Sequence, residues 1–168
     1  MQAVKQALLA ALVLSTTIVF GQASSPDSSQ AKPEQPSPVQ LRNSPDLAPP
    51  PGYSHAAVVT GGTMIFISGQ VGLNKAGEIV GKDDFRAQAA QAFANLKSVL
   101  ATAGAKPSNI VKLNYYVVGL NKEKLQALRA VRDTYIDKDH PPASTLAGVQ
   151  SLFRDDCLIE IEAVAVVP

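Results

Sequence analysis

The residues of this chain best suited to chemistry lie near its C-terminal end, where Glu160 and Glu162 alternate with Ile159 and Ile161. In a strand, successive side chains point to opposite faces. The isoleucines are then expected to face packed helices, and the glutamates the other side of a sheet. A carboxylate held there needs a hydrogen-bond partner, or its pKa rises. Glu160 therefore reads in two ways: as a group that holds or protonates a water, or as a solvated or salt-bridged glutamate. Glu162 reads as the second kind. Ser68, followed by Gly69-Gln70, closes an earlier apparent strand. Small side chains at that point let a ligand approach the backbone, whose N–H groups can hold an oxygen. A simple strand terminator is the competing reading, and no Ser-His-Asp arrangement makes Ser68 a nucleophile. Tyr53 reads as a cleft wall or a packed tyrosine, and His55 as a structural histidine or a ligand contact. His55 and His140 are the only histidines and carry no ligand spacing, so neither a metal nor another cofactor is expected. Cys157 has no partner for an internal disulfide, and Asp155 and Asp156 beside it would raise a thiol pKa. It reads as a small strand-edge residue.

Composition narrows the function classes. Lys plus Arg is 15 against 14 for Asp plus Glu, tryptophan is absent and aromatics make up 5%. Neither the positive field nor the stacking platform of a nucleic-acid binder is present. Apolar residues at 46% and charged residues at 17% fit a globular core. The first residues do not resemble a domain. Lys5 precedes the apolar run Ala7-Leu8-Leu9-Ala10-Ala11-Leu12-Val13-Leu14, which continues through Ile18, Val19 and Phe20 to Gly21-Gln22-Ala23. This is the layout of a secretory signal peptide over residues 1–23, and it is short for a membrane span. Residues 24–46, rich in Ser, Pro and Gln, read as a disordered linker. The expectation is export to a bacterial periplasm or the outside, with no membrane attachment after cleavage. The folded domain is expected over residues 47–168.

These residues must be positioned by regular elements. A stiff lead-in with Pro49-Pro50-Pro51 precedes a strand over 55–60, a Gly61-Gly62 hairpin turn and a return strand over 63–68. Phe85, Ala89, Ala92, Phe93, Leu96, Val99 and Leu100 fall on one face of a helix over 83–103. Asp83 or Asp84 can cap its start, and Gly104 suits the left-handed position after its end. Strand 110–118 shows period-two alternation. Asn121 can cap a second helix running to about Ile136, with Leu125, Leu128, Val131 and Tyr135 inward. Strands over 144–149 and 158–167 follow. The order β-β-α-β-α-β-β implies an α+β fold, one sheet with both helices on one face. The uncovered face of so small a domain calls for another copy of the chain.

Five segments resemble the Rid (RidA/YjgF-like, reactive intermediate deaminase) family in order and spacing. They are Gly52-Tyr53-Ser54-His55, Ile67-Ser68-Gly69-Gln70, Gln91-Ala92-Phe93-Ala94-Asn95-Leu96, Pro142-Ala143-Ser144-Thr145 and Glu160-Ile161-Glu162-Ala163-Val164-Ala165. The resemblance implies a chorismate-mutase-like fold and a homotrimer whose three sheets form a central barrel, with ligand clefts at subunit boundaries. It implies hydrolysis of enamines and imines to keto acids and ammonia. It matches cleft positions to Tyr53, Ser68, Gly69 and Glu160, with Glu160 catalytic. The archetype carries Pro-Ala-Arg-Ser where this chain has Pro142-Ala143-Ser144-Thr145, and a serine hydroxyl cannot replace a guanidinium that grips a carboxylate with two charge-assisted bonds. The archetype's nearby cysteine is Leu146 here. In relatives the second helix borders the cleft with a polar residue, so Arg132 is expected to supply the missing charge; a helix arginine paired with Asp133 is the alternative. The function implied is an enamine or imine hydrolase acting on a small reactive metabolite, with Glu160 managing water and Ser68, Gly69, Ser144 or Thr145 positioning the substrate. A non-catalytic small-molecule-binding or chaperone-like trimer is the alternative, and an endoribonuclease a more distant one. The partners expected are a second and third copy of the chain and a small molecule, without nucleic acid.

Overall fold

The computed structural model describes residues 37–168. The expected signal peptide and the greater part of the expected linker lie outside the described residues. No helix among the described residues is long and apolar enough to cross a membrane.

Six strands and two α-helices follow in the order β1 (Val39–Arg42), β2 (Ala56–Val59), β3 (Thr63–Val71), α1 (Phe85–Thr102), β4 (Ile110–Val118), α2 (Lys122–Arg132), β5 (Ala143–Val149) and β6 (Ile159–Val167), with a 3-10 turn at Pro107–Asn109. The main sheet has the order β3-β6-β4-β5. Strand β6 runs antiparallel to both neighbours, and β4 and β5 are parallel across the α2 crossover. This is the expected α+β order with one strand added in front.

Helix α1 forms because its apolar residues share a face and its ends are closed. The Asp84 carboxylate accepts from the Ala87 N–H at 3.0 Å. At the other end Gly104, at φ 70°, lets its own N–H and that of Ala105 reach the Ala101 and Leu100 carbonyls. Phe93, Leu96 and Leu100 are fully buried against Leu113, Val117, Ile159 and Ile161. Burial of each such side chain contributes about 1.5–3 kcal/mol. Gln88 is the one buried polar residue of this face. Its amide donates to the Asp156 carbonyl at 2.8 Å and accepts from the Leu158 N–H at 2.8 Å, which fixes the entry to β6. Asn95 donates to the carbonyls of Val71 and Leu73, fixing the exit from β3. The Asn121 side chain caps α2 through the Lys124 N–H. That helix closes at Arg132 rather than Ile136, because Thr134 and Tyr135 tighten into i→i−3 bonds.

Two local expectations are corrected. The Gly61-Gly62 turn joins β2 to β3, but the two do not pair. Strand β2 ladders with β1, Val39 opposite Val59, while β3 ladders with β6. Strand β1 itself stands inside the segment expected as a linker. Its four residues carry too short an alternation to stand out from a Pro/Ser/Gln-rich neighbourhood, and it is the β2 edge that satisfies its backbone.

The helices cover one face of the main sheet. The opposite face carries Met64, Phe66, Asn114, Tyr116, Glu160 and Glu162, and Phe66 is 76% exposed.

Candidate functional site

Glu160 and Glu162 stand on the helix-free face, as the alternation predicted. Their surroundings differ. One Glu162 carboxylate oxygen accepts from the Asn114 amide at 2.6 Å and from the Tyr116 hydroxyl at 3.0 Å. Glu160 has no hydrogen-bonding side-chain partner among the described residues, and its carboxylate lies directly on the backbone of Gly69. A Cβ at position 69 would collide with that carboxylate, standing 2.5 Å from Glu160 Cδ. Here the glycine allows a close approach of the Glu160 side chain, which any larger residue would push aside. Ser68 and Gly69 are the residues at which the β3–β6 register slips, between the pairs Ile67–Ala163 and Gln70–Ile161. Such bulges re-aim side chains and recur beside active sites. Gly69 and Glu160 thus meet on the face away from the helices, while Ser68, next to Gly69, lines a shallow hollow with Phe66, Asn114 and Glu162. Thr145 is on the same face, accepting from the Lys112 ammonium at 2.8 Å.

A second group lies on the helix side, at the β5 edge. Pro51, Tyr53, Tyr115, Leu125, Leu128, Arg129, Arg132, Ser144 and Leu146 enclose a cavity of about 280 Å³. Tyr53 is placed by Ser54, whose hydroxyl donates to the Pro141 carbonyl at 2.7 Å and whose N–H donates to the Pro142 carbonyl at 3.1 Å. This pairing lays the lead-in segment along the start of β5 and brings Tyr53 to Ser144. Leu125, Leu128, Arg129 and Arg132 come from one face of α2 by the three- and four-residue steps of a helix. The Tyr115 hydroxyl is buried without a partner. Burial pushes its pKa up, opposed by the nearby Arg132 charge, so it remains a proton donor.

Arg132 lines this cavity with Ser144, and three of its five N–H donors are engaged within the chain. Nε and Nη2 both lie 2.8 Å from the Asp133 carboxylate and Nη1 donates to the Gly52 carbonyl at 2.9 Å. The guanidinium also packs flat on Gly52, which stands at φ 90°. Pairing with Asp133 was the alternative read from the sequence. Ser144 and Thr145, grouped as substrate-positioning residues, point to opposite faces because they are consecutive on β5. The structure therefore brings Tyr53, Arg132 and Ser144 together at β5, and separately Gly69 and Glu160, with Ser68 next to Gly69, on β3 and β6; strand β4 lies between the sets. Sequence reasoning missed Arg129 and Tyr115. Arg129 carried a signal, since it is one helical turn from Leu125 and from Arg132. Tyr115 did not, because its alternation marks it only as core.

Two other candidates resolve as structural. His55 Nδ1 accepts from the Ser44 N–H at 3.1 Å, and its ring meets Tyr53 edge-on at 5.9 Å. Cys157 is buried, and burial first, then the Asp156 charge, raises its thiol pKa. No cluster of three His, Cys, Asp or Glu among the described residues could hold a metal ion. A larger cavity of about 340 Å³ lies between β1 and the start of β4, and its charged groups, Asp137 and His140, bond to each other at 2.9 Å.

The model of the family described as Endoribonuclease L-PSP matches residues 44–167. A 2-iminobutanoate/2-iminopropanoate deaminase of Dermatophagoides farinae is 32% identical over 131 residues, covering 78% of this chain and 98% of that protein. A RutC family protein of Aquifex aeolicus is 37% identical over 115 residues, 68% of this chain and 87% of that one. Among solved structures, YyfB of Yersinia pestis, a protein of the conserved Rid family, superposes with a TM-score of 0.72 at 39% identity, covering 77% of this chain and 99% of that one.

Proposed function

The chain belongs to the RidA/YjgF family, and on that premise we propose that it is an imine hydrolase whose site closes only between copies of itself. One observation carries the reading: of two glutamates on the same strand face, Glu162 is tied down by Asn114 and Tyr116, whereas Glu160 lies on Gly69 with no side-chain partner among the described residues. An uncommitted carboxylate can accept a proton from water.

In the reaction, water adds to the imine carbon as Glu160 takes its proton, giving a carbinolamine once the nitrogen is protonated. The Glu160 carboxyl returns a proton to that nitrogen, the C–N bond breaks, and ammonia leaves. Loss of the hydroxyl proton completes the keto acid. Imine and water thus become keto acid and ammonia. The cavity set of one copy holds the substrate, and the Ser68–Gly69–Glu160 set of a neighbour supplies the water chemistry. Support for this arrangement comes from the separation of the two sets within one chain, from the exposed Phe66 and Met64 beside Glu160's face, and from the name of the Dermatophagoides relative. A homotrimer is the assembly proposed. Residues 1–23 are proposed to direct export, and sequencing of the mature N-terminus should begin at Ser24.

The test couples the purified protein to an amino-acid oxidase that releases 2-iminobutanoate or 2-iminopropanoate. Keto acid should form faster than in buffer, and Glu160→Gln should abolish the difference. Rates equal to buffer for both imines would sink the hydrolase and leave a binding protein.

A further inference from the structure

Beyond the bulge at Ser68 and Gly69, the ladder between β3 and β6 has two pairs left, Gln70–Ile161 and Val71–Glu160. A bulge disrupts pairing locally, and two pairs at the end of a ladder are prone to fray. Yet the Glu160 carboxylate meets Gly69 across this short piece. Its anchor comes from α1. Gln88 touches both strands just past the last pair. Its backbone lies directly on the exit of β3: a Cβ at Gly72 would stand 2.9 Å from Gln88 Cα and 3.1 Å from the Gln88 carbonyl oxygen. Its side chain reaches the entry of β6, where Oε1 accepts from the Leu158 N–H at 2.8 Å and Nε2 donates to the Asp156 carbonyl at 2.8 Å. Nε2 also donates to the Gly81 carbonyl at 3.4 Å. Gln88 is fully buried, and its whole hydrogen-bonding capacity goes to the backbone of the two connections. An apolar side chain would fill the same space; a buried amide satisfied on both ends fixes a geometry as well.

We propose that Gln88 is a positioning residue for Glu160: by tying Leu158 to the stretch of α1 that rests on Gly72, it sets where the Glu160 carboxylate lies on Gly69. This rests on the hydrolase reading for the task of Glu160 and deepens it. Leu158 stands two residues before Glu160, so a slack entry to β6 displaces the carboxylate relative to Gly69. A misplacement of about 1 Å in a reacting group costs on the order of a hundredfold in rate. Asn95 supports the other strand, donating to the Val71 carbonyl at 2.9 Å and to the Leu73 carbonyl at 2.8 Å. Glu162 does not depend on this device, because Asn114 and Tyr116 hold it from β4. The two glutamates therefore respond differently to the loss of one buried amide on the far side of the sheet.

The experiment follows the carboxyl carbons of isotope-labelled glutamate in the full chain by NMR, with kcat and KM from the oxidase-coupled assay and a thermal midpoint for each variant. In Gln88→Met, which keeps the length and removes the hydrogen bonds, the Glu160 signal should move and the Glu162 signal should stay. In the same variant kcat should fall by about tenfold to a hundredfold, with KM within twofold, because the substrate is held by the cavity set. Gln88→Glu keeps an acceptor for the Leu158 N–H and should retain more of kcat than Gln88→Met, although a buried carboxylate lowers its midpoint at least as far. Leu100→Val, at a fully buried position near the other end of α1, should lower the midpoint without moving the Glu160 signal or kcat. In wild type the Leu158 N–H should exchange with solvent only through global unfolding, a measurement that needs no variant to fold. An unmoved Glu160 signal in Gln88→Met, an equal loss of kcat in Leu100→Val, or fast exchange at Leu158 would overturn the assignment. The two readings fail separately: a Glu160 signal that follows Gln88 in a protein without turnover removes the hydrolase alone, and turnover with an unmoved Glu160 removes the positioning role alone.

Discussion

Tyr115 and Tyr116 are consecutive on β4, and they separate the molecule into two regions built on different terms. The Tyr115 side chain stands on the helix side, where its hydroxyl is buried with no partner among the described residues and burial raises its pKa. The Tyr116 hydroxyl points to the helix-free face, where its hydrogen bond to Glu162 is the main reason its pKa rises. On the cavity side, a partly open hollow is already lined within one chain by β4, β5, α2 and the lead-in. On the open face, the polar groups around Glu162 are satisfied, but Glu160 is uncommitted among the described residues and large apolar side chains such as Phe66 are uncovered. The first region has walls of its own, and the second lacks a surface to close it. That difference is why the two are proposed as halves of a site shared between copies.

The comparison can be broken most sharply at Glu160. Glu160→Gln should lower kcat by about 10²–10⁴, the usual contribution of a positioned acid or base, with the thermal midpoint unmoved, because the fold makes no use of this carboxylate. Equal losses from Glu162→Gln and Glu160→Gln would erase the distinction between them. Phe66→Asp comes next. A charge at the centre of a self-contact should weaken association by about 2 kcal/mol or more, roughly thirtyfold in the dissociation constant, seen as smaller species in sedimentation velocity. An unchanged assembly would mean that this face is not where copies meet.

On the cavity side, Arg132→Gln removes charge-assisted bonds to Asp133 and Gly52. A cost of about 1.5–3 kcal/mol is expected, read as a midpoint lowered by several degrees. The smallest effect concerns the exposed Asp137–His140 pair, away from both regions. The hydrogen bond from His140 lowers the Asp137 pKa, and the same bond raises that of His140. The His140 contribution is therefore complete below its ordinary value near 6.5 and is lost as pH rises through the raised pKa. The Asp137 contribution is present above its ordinary value and is lost as pH falls through the lowered one. NMR titration of His140 should show the raised value, and Asp137→Asn should return it to normal with almost no change in stability.

Much of the fold was legible because it depends on local periodicity. The α1 stripe, its Asp84 cap and Gly104 end, and the alternation of β4 and β6 follow from backbone geometry that each segment carries by itself. The side on which Glu160 and Glu162 stand was legible for the same reason. The β1–β2 pairing was not, since a four-residue strand is defined by the edge it finds. Arg132 as the charge near Ser144 came from the resemblance to relatives that carry a polar residue on this helix. The structure places it beside Ser144, with contacts to Asp133 and to the Gly52 carbonyl, 80 residues away in sequence, that the sequence does not display.

Sequence alone thus determined the order of elements from β2 onward, the inner and outer faces of α1, β4 and β6, and the candidate carboxylate. Only tertiary structure decided which polar groups remain unspent, because hydrogen-bond satisfaction is settled between segments distant in the chain. It left Glu160 lying on Gly69, Arg132 bound to the lead-in, and the Tyr115 hydroxyl buried without a partner among the described residues.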